Sequence, residues 1–435
     1  MKLKSYITSL LLFGILSLYA QQIIPITKKE VLESVLENNA TIKISIEEFN
    51  RARAEFRQTN SIFLPHISAS YTGISTTNPL MAFGSKLNQE ILTPNDFDPA
   101  LLNDPNQIQN FATTFEIEQP LINLDGIYQR EAAKSKMEAM SLKRQRTVDY
   151  LEFEVNNAYM QLQLAYKVVD VVKKALEAAK ANQMLADNGF EQGLLQRADV
   201  LNVEVRLNEV KNQLHQAKSD VQNASNYLSF LMNDDSFFIY QPADSLTVIE
   251  MLTIHKTISE DRSDIRAMFL STNALKAMNK ADKMTFFPRL NAFGSYQLYD
   301  DDIFEAQANG YVFGAKLSWD IFQGSKRFGK AQKSKAEFEK SKLEYRQYVS
   351  KSKLEFHKAN RMYVDAKNKL NLSKLALEQA EESLRIRTIR FKEGLEKTSD
   401  LLMAETQFAQ KQLEYYQTIF EHNYAQTYLA FLTKG

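Results

Sequence analysis

Phe190-Glu191-Gln192-Gly193-Leu194 recurs 201 residues later as Phe391-Lys392-Glu393-Gly394-Leu395. Each copy interrupts a run almost free of helix breakers. From Ile127 to Leu231 there is no proline, and the only glycines are Gly189 and Gly193; from Lys330 to Lys434 there is no proline and one glycine, Gly394. Inside a helix a proline costs roughly 3 kcal/mol and a glycine roughly 1 kcal/mol relative to alanine. Each run is therefore expected to be two long helices that reverse at the glycine, where the turn needs a left-handed backbone.

The repeat extends in both directions. Downstream, Asp199, Leu201 and Glu204 answer Asp400, Leu402 and Glu405, and Tyr227-Leu228-Ser229-Phe230-Leu231 answers Tyr428-Leu429-Ala430-Phe431-Leu432. Upstream, Ala132-Ala133-Lys134-Ser135-Lys136-Met137-Glu138 answers Ala331-Gln332-Lys333-Ser334-Lys335-Ala336-Glu337, and Phe63-Leu64-Pro65 answers Phe286-Phe287-Pro288. The helical pieces are offset by 199 or 201 residues and the proline pair by 223, so the first half carries an excursion, a long loop between its two strands, over roughly Thr76–Asn110. A period near 200 is a tandem duplication, not a solenoid of short repeats. It divides the chain into a first repeat over residues 21–231, with its tip at 189–194, an inter-repeat segment over 232–258, and a second repeat over 259–435, with its tip at 394–395.

Periodicity gives the helices a partner face. Val148, Leu151, Val155, Ala158, Leu162, Ala165, Val169, Val172, Leu176 and Ala179 alternate steps of three and four, which is a heptad seam. A helix from about Gln129 to Asp187 would be roughly 90 Å long at about 1.5 Å per residue.

Between the helices lie segments of period two. In Tyr311–Phe322 the odd positions are Tyr311, Phe313, Ala315, Leu317, Trp319 and Ile321, against mostly small or polar even positions, Gly314, Lys316, Ser318 and Asp320, with Val312 the exception. Phe111–Gln119 alternates likewise, and Ile67–Ile74 and Leu290–Tyr299 more loosely. Each is the length that crosses an outer membrane as a tilted strand. Four strands cannot close a barrel, since about eight are needed. Oligomerisation must supply the rest: eight strands in a dimer, or twelve in a trimer.

Met1–Ala20 reads as an export signal, with Lys2 and Lys4 before an apolar stretch from Ile7 to Leu18. That stretch is short for a membrane anchor, which needs about 20 apolar residues. The rest of the composition excludes more than it assigns. Lys plus Arg and Asp plus Glu are both 53, so no global charge favours nucleic acid. There is no cysteine, and the five histidines share no metal-ligand spacing, so no cofactor and no metal are expected. The carboxylates are spread along helices without a histidine or cysteine partner, so an enzyme is not expected.

These pieces together resemble the TolC-like outer-membrane efflux proteins, the exit ducts of multidrug pumps and type I secretion systems. The resemblance rests on the two proline-tagged strand entries and on Arg262-Ser263-Asp264-Ile265-Arg266-Ala267 opening the second half. It rests also on Trp319-Asp320-Ile321-Phe322-Gln323-Gly324 between strand and helix, and on the paired Gly-Leu reversals. It implies a mixed α and β fold in a homotrimer. Long coiled-coil hairpins would form a periplasmic α-barrel, four strands per chain would form an outer-membrane β-barrel in lipid, and residues 232–258 would belong to an equatorial belt. The partners implied are a periplasmic membrane-fusion adaptor and an inner-membrane transporter of the RND, ABC or MFS type.

The resemblance also assigns residues. Gly193, Leu194, Gly394 and Leu395 would be the periplasmic tips where the adaptor docks. Asp199 and Asp400 fall on positions that hold or line the closing aperture, and a plain helix N-cap role fits both as well. The chain departs from the family at Met403, where a second lining aspartate is usual, and at Glu396, where an arginine is usual; the latch would then run through Arg197 or Lys397. Tyr311, Phe313, Leu317 and Trp319 would face lipid. The competing expectation is an exported coiled-coil scaffold or adhesin without a channel. It shares the heptads but leaves the two pairs of alternating strands unaccounted for.

Overall fold

The computed structural model describes residues 23–236, 238–250 and 257–434. The signal segment expected over Met1–Ala20 lies outside these, as does part of the inter-repeat segment. In chain order the elements begin with β1 (Ile23–Ile26), α1 (Lys28–Asn38), α2 (Ala40–Gln58) and β2 (His66–Thr76). The excursion follows, with α3 (Pro79–Asn88), a 3₁₀ turn (Pro94–Phe97) and α4 (Pro99–Asn103). Then come β3 (Ile108–Ile122), α5 (Leu124–Glu191), α6 (Arg197–Met232) and β4 (Ile239–Pro242). The second half is α7 (Ser263–Met284), β5 (Arg289–Asp300), β6 (Ala308–Ser318), α8 (Lys326–Lys392) and α9 (Thr398–Thr433).

The duplication is visible in the lengths: α5 and α8 have 68 and 67 residues, and α6 and α9 have 36 each. At about 1.5 Å per residue α5 is roughly 100 Å long. It starts at Leu124, earlier than the sequence expectation of Gln129. Asn123 lies just before it, and the Asn123 Oδ1 accepts the Gly126 N–H at 3.1 Å, supplying a cap that allows the early start.

The described residues form two compact units. One takes the chain up to Glu47, Lys143–Ile265 and the chain from Tyr348 onward; the other takes Glu48–Leu142 and Arg266–Gln347. The core of the first unit is the heptad seam. Leu151, Val155, Ala158, Leu162, Ala165 and Val169 are buried there with Val31 and Val35 of α1 and Ala217, Val221 and Leu228 of α6. β1 pairs in parallel with β4, Ile24 opposite Tyr240. The inter-repeat segment lies against α9: Asn423 donates Nδ2 to the Thr247 carbonyl at 2.7 Å and accepts the Ile249 N–H at 3.0 Å.

The second unit holds one antiparallel sheet in the order β2-β3-β5-β6, so its outer edges are β2 and β6. Its helical segments pack as the duplication predicts. The Arg130 guanidinium of α5 lies 4.4 Å over the Phe56 ring of α2, while Thr272 of α7 hydrogen-bonds Ser341 of α8 at 2.9 Å. Two sequence expectations are corrected here. The excursion is folded into short helices, and β6 ends at Ser318, so Trp319, Ile321 and Phe322 lie beyond the strand. Ser318 pairs with Arg289, the first residue of β5; before it stands Pro288, which has no N–H to give a ladder. Residues past Ser318 therefore have no strand opposite them.

Candidate functional site: the sheet face and the helix reversals

Opposed residues of an antiparallel pair share a face, so the register sorts the sheet. One face carries Ile67, Ala69 and Tyr71 of β2, then Phe111, Phe115 and Ile117 of β3. It continues with Leu290, Ala292, Tyr296 and Leu298 of β5 and with Tyr311, Phe313, Ala315 and Leu317 of β6. The other face carries Ser68, Ser70, Thr72, Thr114, Glu116 and Glu118. On it too lie Asn291, Ser295, Gln297 and Lys316, with Ile74, Phe293, Tyr299 and Val312 as exceptions. All four strands thus turn most of their apolar residues the same way.

Among the described residues that apolar face has little cover beyond Phe304 stacked on Tyr71. Tyr311, Phe313 and Leu317 are 73%, 79% and 67% exposed, and Ile67 is 68% exposed. Tyr311 and Phe313 stack on each other with ring centroids 6.2 Å apart. Such a patch exceeds what a water-facing sheet normally presents. Trp319, beyond the strand, donates its indole N–H to the Phe286 carbonyl at 3.0 Å, and its ring is otherwise exposed.

The two reversals are superimposable in chemistry. Gly193 and Gly394 have φ of +73° and +70°. The Gly193 N–H bonds the Phe190 carbonyl at 3.0 Å and the Leu194 N–H bonds the Gly189 carbonyl at 2.8 Å. In the second copy Gly394 bonds Phe391 at 3.0 Å and Leu395 bonds Arg390 at 2.9 Å. Both are Schellman closures, which satisfy the last carbonyls of the helix. Leu194 and Leu395 stand 75% and 67% exposed at the turns. The two tips meet: Leu402 of α9 packs on Val200, Val203 and Ala186, and Asn182 Nδ2 donates to both Glu405 carboxylate oxygens at 2.8 Å. Burial raises the pKa of Glu405 above the usual carboxylate range, against the Asn182 bond and the Arg206 charge, which lower it.

The charged candidates sit in the first turns after these closures. Gln196 and Lys397 are the N-cap residues, so Asp199 and Asp400 are three residues further in, correcting the expectation that the aspartates themselves are the caps. Asp199 Oδ2 accepts the Gln196 N–H at 3.1 Å, closing that helix end. Arg197 pairs with Glu204 on its own helix at 3.7 Å. A closer ion-pair clamp forms within the second hairpin at Glu396, held at 2.8 Å by both Arg387 and Arg390. Its sequence signal was available: two arginines three apart on one helical face, with a carboxylate just past the reversal.

A second cluster is built on Arg262 and Asp264, which open the second repeat, but its contacts had no sequence signal. Arg262, 2% exposed, donates to the Leu432 carbonyl at 3.0 Å, to Ser352 Oγ at 2.7 Å and to Asp264 Oδ1 at 2.7 Å. Arg146 donates to the Phe431 carbonyl at 3.1 Å, and its guanidinium lies 3.7 Å over the Phe431 ring. Two cations thus close the carbonyl end of α9, where the helix dipole favours positive charge. Burial acts to raise the pKa of Asp264, yet hydrogen bonds from Arg262 and Tyr348 and the Arg146 charge bring it below the usual value. Burial and the bond to Asp264 push the Tyr348 hydroxyl up to about 12.

Among the described residues no helix is long and apolar enough to cross a membrane, and no group of three or more His, Asp or Glu could hold a metal ion.

Comparison with known proteins agrees with this architecture. No curated protein matches the sequence. Among solved structures, the chain is similar to the Campylobacter jejuni CmeC outer membrane channel, with TM-score 0.82, 16% identity, and 93% of this chain and 85% of that one covered. It is similar to the Vibrio cholerae outer membrane protein VceC, with TM-score 0.79, 16% identity, and 94% and 96% covered. It is also similar to a Pseudomonas aeruginosa membrane protein, with TM-score 0.82, 16% identity and 93% of each chain covered. The family model for outer membrane efflux proteins matches residues 31–234 and 255–430, one span for each structural repeat. Duplicated helical hairpins, an exposed apolar sheet face and these two matched spans place the chain in one family: it belongs to the outer membrane efflux proteins, which are outer-membrane channels and not enzymes.

Proposed function

We propose that three copies of this chain close a twelve-stranded barrel and form the exit duct of a tripartite efflux or type I secretion complex. Its cargo would be drugs, small molecules or proteins, handed on by a periplasmic membrane-fusion adaptor and an inner-membrane transporter of the RND, ABC or MFS type. The observation that carries the proposal is the four-stranded sheet with one apolar face and two open edges, β2 and β6. In lipid an unpaired edge is costly, because each unmet backbone group has no water to bond. Joining β6 of one copy to β2 of the next removes all edges at once. The apolar face, with Tyr311, Phe313 and Leu317, then meets lipid, Trp319 sits at the interface, and the face of Glu116 and Lys316 lines a water-filled lumen.

The helix reversals would supply the docking surface. Leu194 and Leu395, held out by Gly193 and Gly394, offer small apolar knobs of equal geometry, suited to one adaptor that engages both tips. Asp199 and Asp400 would ring the aperture, flanked by Arg197 and Lys397. The Glu396 clamp stiffens the second tip from within its own hairpin. A photo-cross-linking side chain placed at position 194 or 395 should capture the adaptor in cells, and Leu194→Asp with Leu395→Asp should abolish efflux while leaving the barrel assembled. Full efflux in that double variant would remove the tips from the docking role.

A further inference from the structure

The excursion between β2 and β3 is built as a compact cap. Asn78 caps α3, its Oδ1 accepting the Met81 N–H at 3.2 Å, and Asp98 caps α4. Lys86 and Asp96 tie α3 to the 3₁₀ turn at 2.6 Å, and the Phe83 and Phe97 rings meet edge to face at 5.7 Å.

Its place on the sheet is specific. α3 packs against both β3 and β6, which lie on either side of β5. The residues it covers belong to the polar face: Asn110 is 8% exposed and Ala308 2%, whereas Glu116, Glu118 and Lys316 of the same face are exposed. Buried Gln89, at the end of α3, fastens the contact. Its Nε2 lies 2.8 Å from the Gln109 carbonyl and 2.9 Å from both Asn110 Oδ1 and the Asp300 carbonyl, so one side chain ties α3 to β3 and β5. The turn after β5 goes to the opposite face, where Phe304 stacks on Tyr71 at 4.5 Å.

We infer that α3 and its two following turns form a lid over the lumen at the outer mouth, and that this lid sets the size of what can pass the exit. The inference rests on the channel proposed above, since only in a closed barrel is the polar face a lumen. The hairpin end of the strands is the end away from the long helices, hence the outer end. Repeated three times around the mouth, the lids bring α3 from each copy towards the axis. Leu80 and Leu87, seven residues apart on one side of α3 and 82% and 56% exposed, are then available for lid-to-lid contact.

The chain has no native cysteine, which makes the test direct. Thr114→Cys places a thiol on the polar face, four residues deeper than Asn110. It is introduced into the full chain and into a chain whose residues 79–106 are replaced by a short Gly-Ser turn. Intact cells are then treated with a small charged maleimide or with one carrying a polyethylene-glycol chain of several kilodaltons. The lid predicts that the small reagent labels both proteins, and that the bulky one labels only the lidless protein. Equal labelling of both proteins by the bulky reagent would overturn the lid and leave the channel standing. Failure of the small reagent on both would remove the lumen, and with it the channel and the lid. Gln89→Leu, which keeps α3 but breaks its hub, should admit the bulky reagent as well. Its continued exclusion there would overturn the lid's anchoring if the lidless chain fails to assemble.

Discussion

Asn182 of α5 donates to both carboxylate oxygens of Glu405 in α9, at 2.8 Å each, joining the two helical hairpins close to their reversals. Because burial raises the Glu405 pKa above its unfolded value of 4.5, the folded state takes up the proton more readily than the unfolded chain does. The stabilisation is full below that unfolded value and fades as pH rises through the raised folded value. The tips should thus melt at a higher temperature in mildly acidic buffer than at neutrality. Glu405→Gln, which keeps an acceptor for Asn182, should flatten that dependence and raise the neutral melting temperature. An unchanged pH profile in Glu405→Gln would assign the effect to another group.

The opposite sign holds for Asp264, whose pKa is lowered. Its contribution is present above the unfolded value and is lost as pH falls through the lowered one. Arg262→Ala removes a partner of Asp264 and exposes the Leu432 carbonyl to an empty site. Breaking one member of a buried ion pair costs about 3–5 kcal/mol. Thermal unfolding should register that loss, with Arg262→Lys intermediate because a single ammonium cannot reach three acceptors. A melting temperature equal to that of the native chain would show that the α9 end is held otherwise.

For the reversals, nothing lies within 4 Å of a Cβ built on Gly193 or Gly394, so a substitution there meets strain and not a clash. Gly394→Ala should cost about 1–2 kcal/mol, the price of a left-handed L-residue, and Gly394→Asn clearly less. Denaturant midpoints measure the difference. Equal midpoints for alanine and asparagine would contradict the backbone argument.

Phe313 is the central residue of β6 and faces the apolar side, while Ser295 of β5 lies on the polar side. Phe313→Arg should lose about 2–4 kcal/mol of membrane stability if it sits near the bilayer midplane. Ser295→Arg should assemble nearly normally, since water can solvate the charge. Equal yields of assembled protein from both would mean that the faces are assigned backwards.

Much of this fold is legible in the sequence because its signals are long. A heptad seam over thirty residues and four stretches of period two outweigh any local propensity. What stayed hidden depended on contacts far apart in the chain or on residues that point both ways. Pro79, Pro94 and Pro99 read as breakers of a loop, yet each stands in the first turn of a helix or 3₁₀ turn, where its missing N–H costs nothing. Arg262 finds the Leu432 carbonyl of α9 170 residues away, a pairing that no spacing announces. The alternation through Trp319 and Ile321 continued in sequence beyond Ser318, but Pro288 had already ended the opposing strand.

The central claim is that this chain forms its barrel only by assembly, because its four-stranded sheet has free edges at β2 and β6. Native mass measurement of the detergent-extracted protein tests it most directly, with the same sample inserted into planar bilayers. The account predicts a particle of three chains that conducts ions, with barrel and trimer lost together on heating. A folded single chain, stable in detergent with its strands intact, would contradict it.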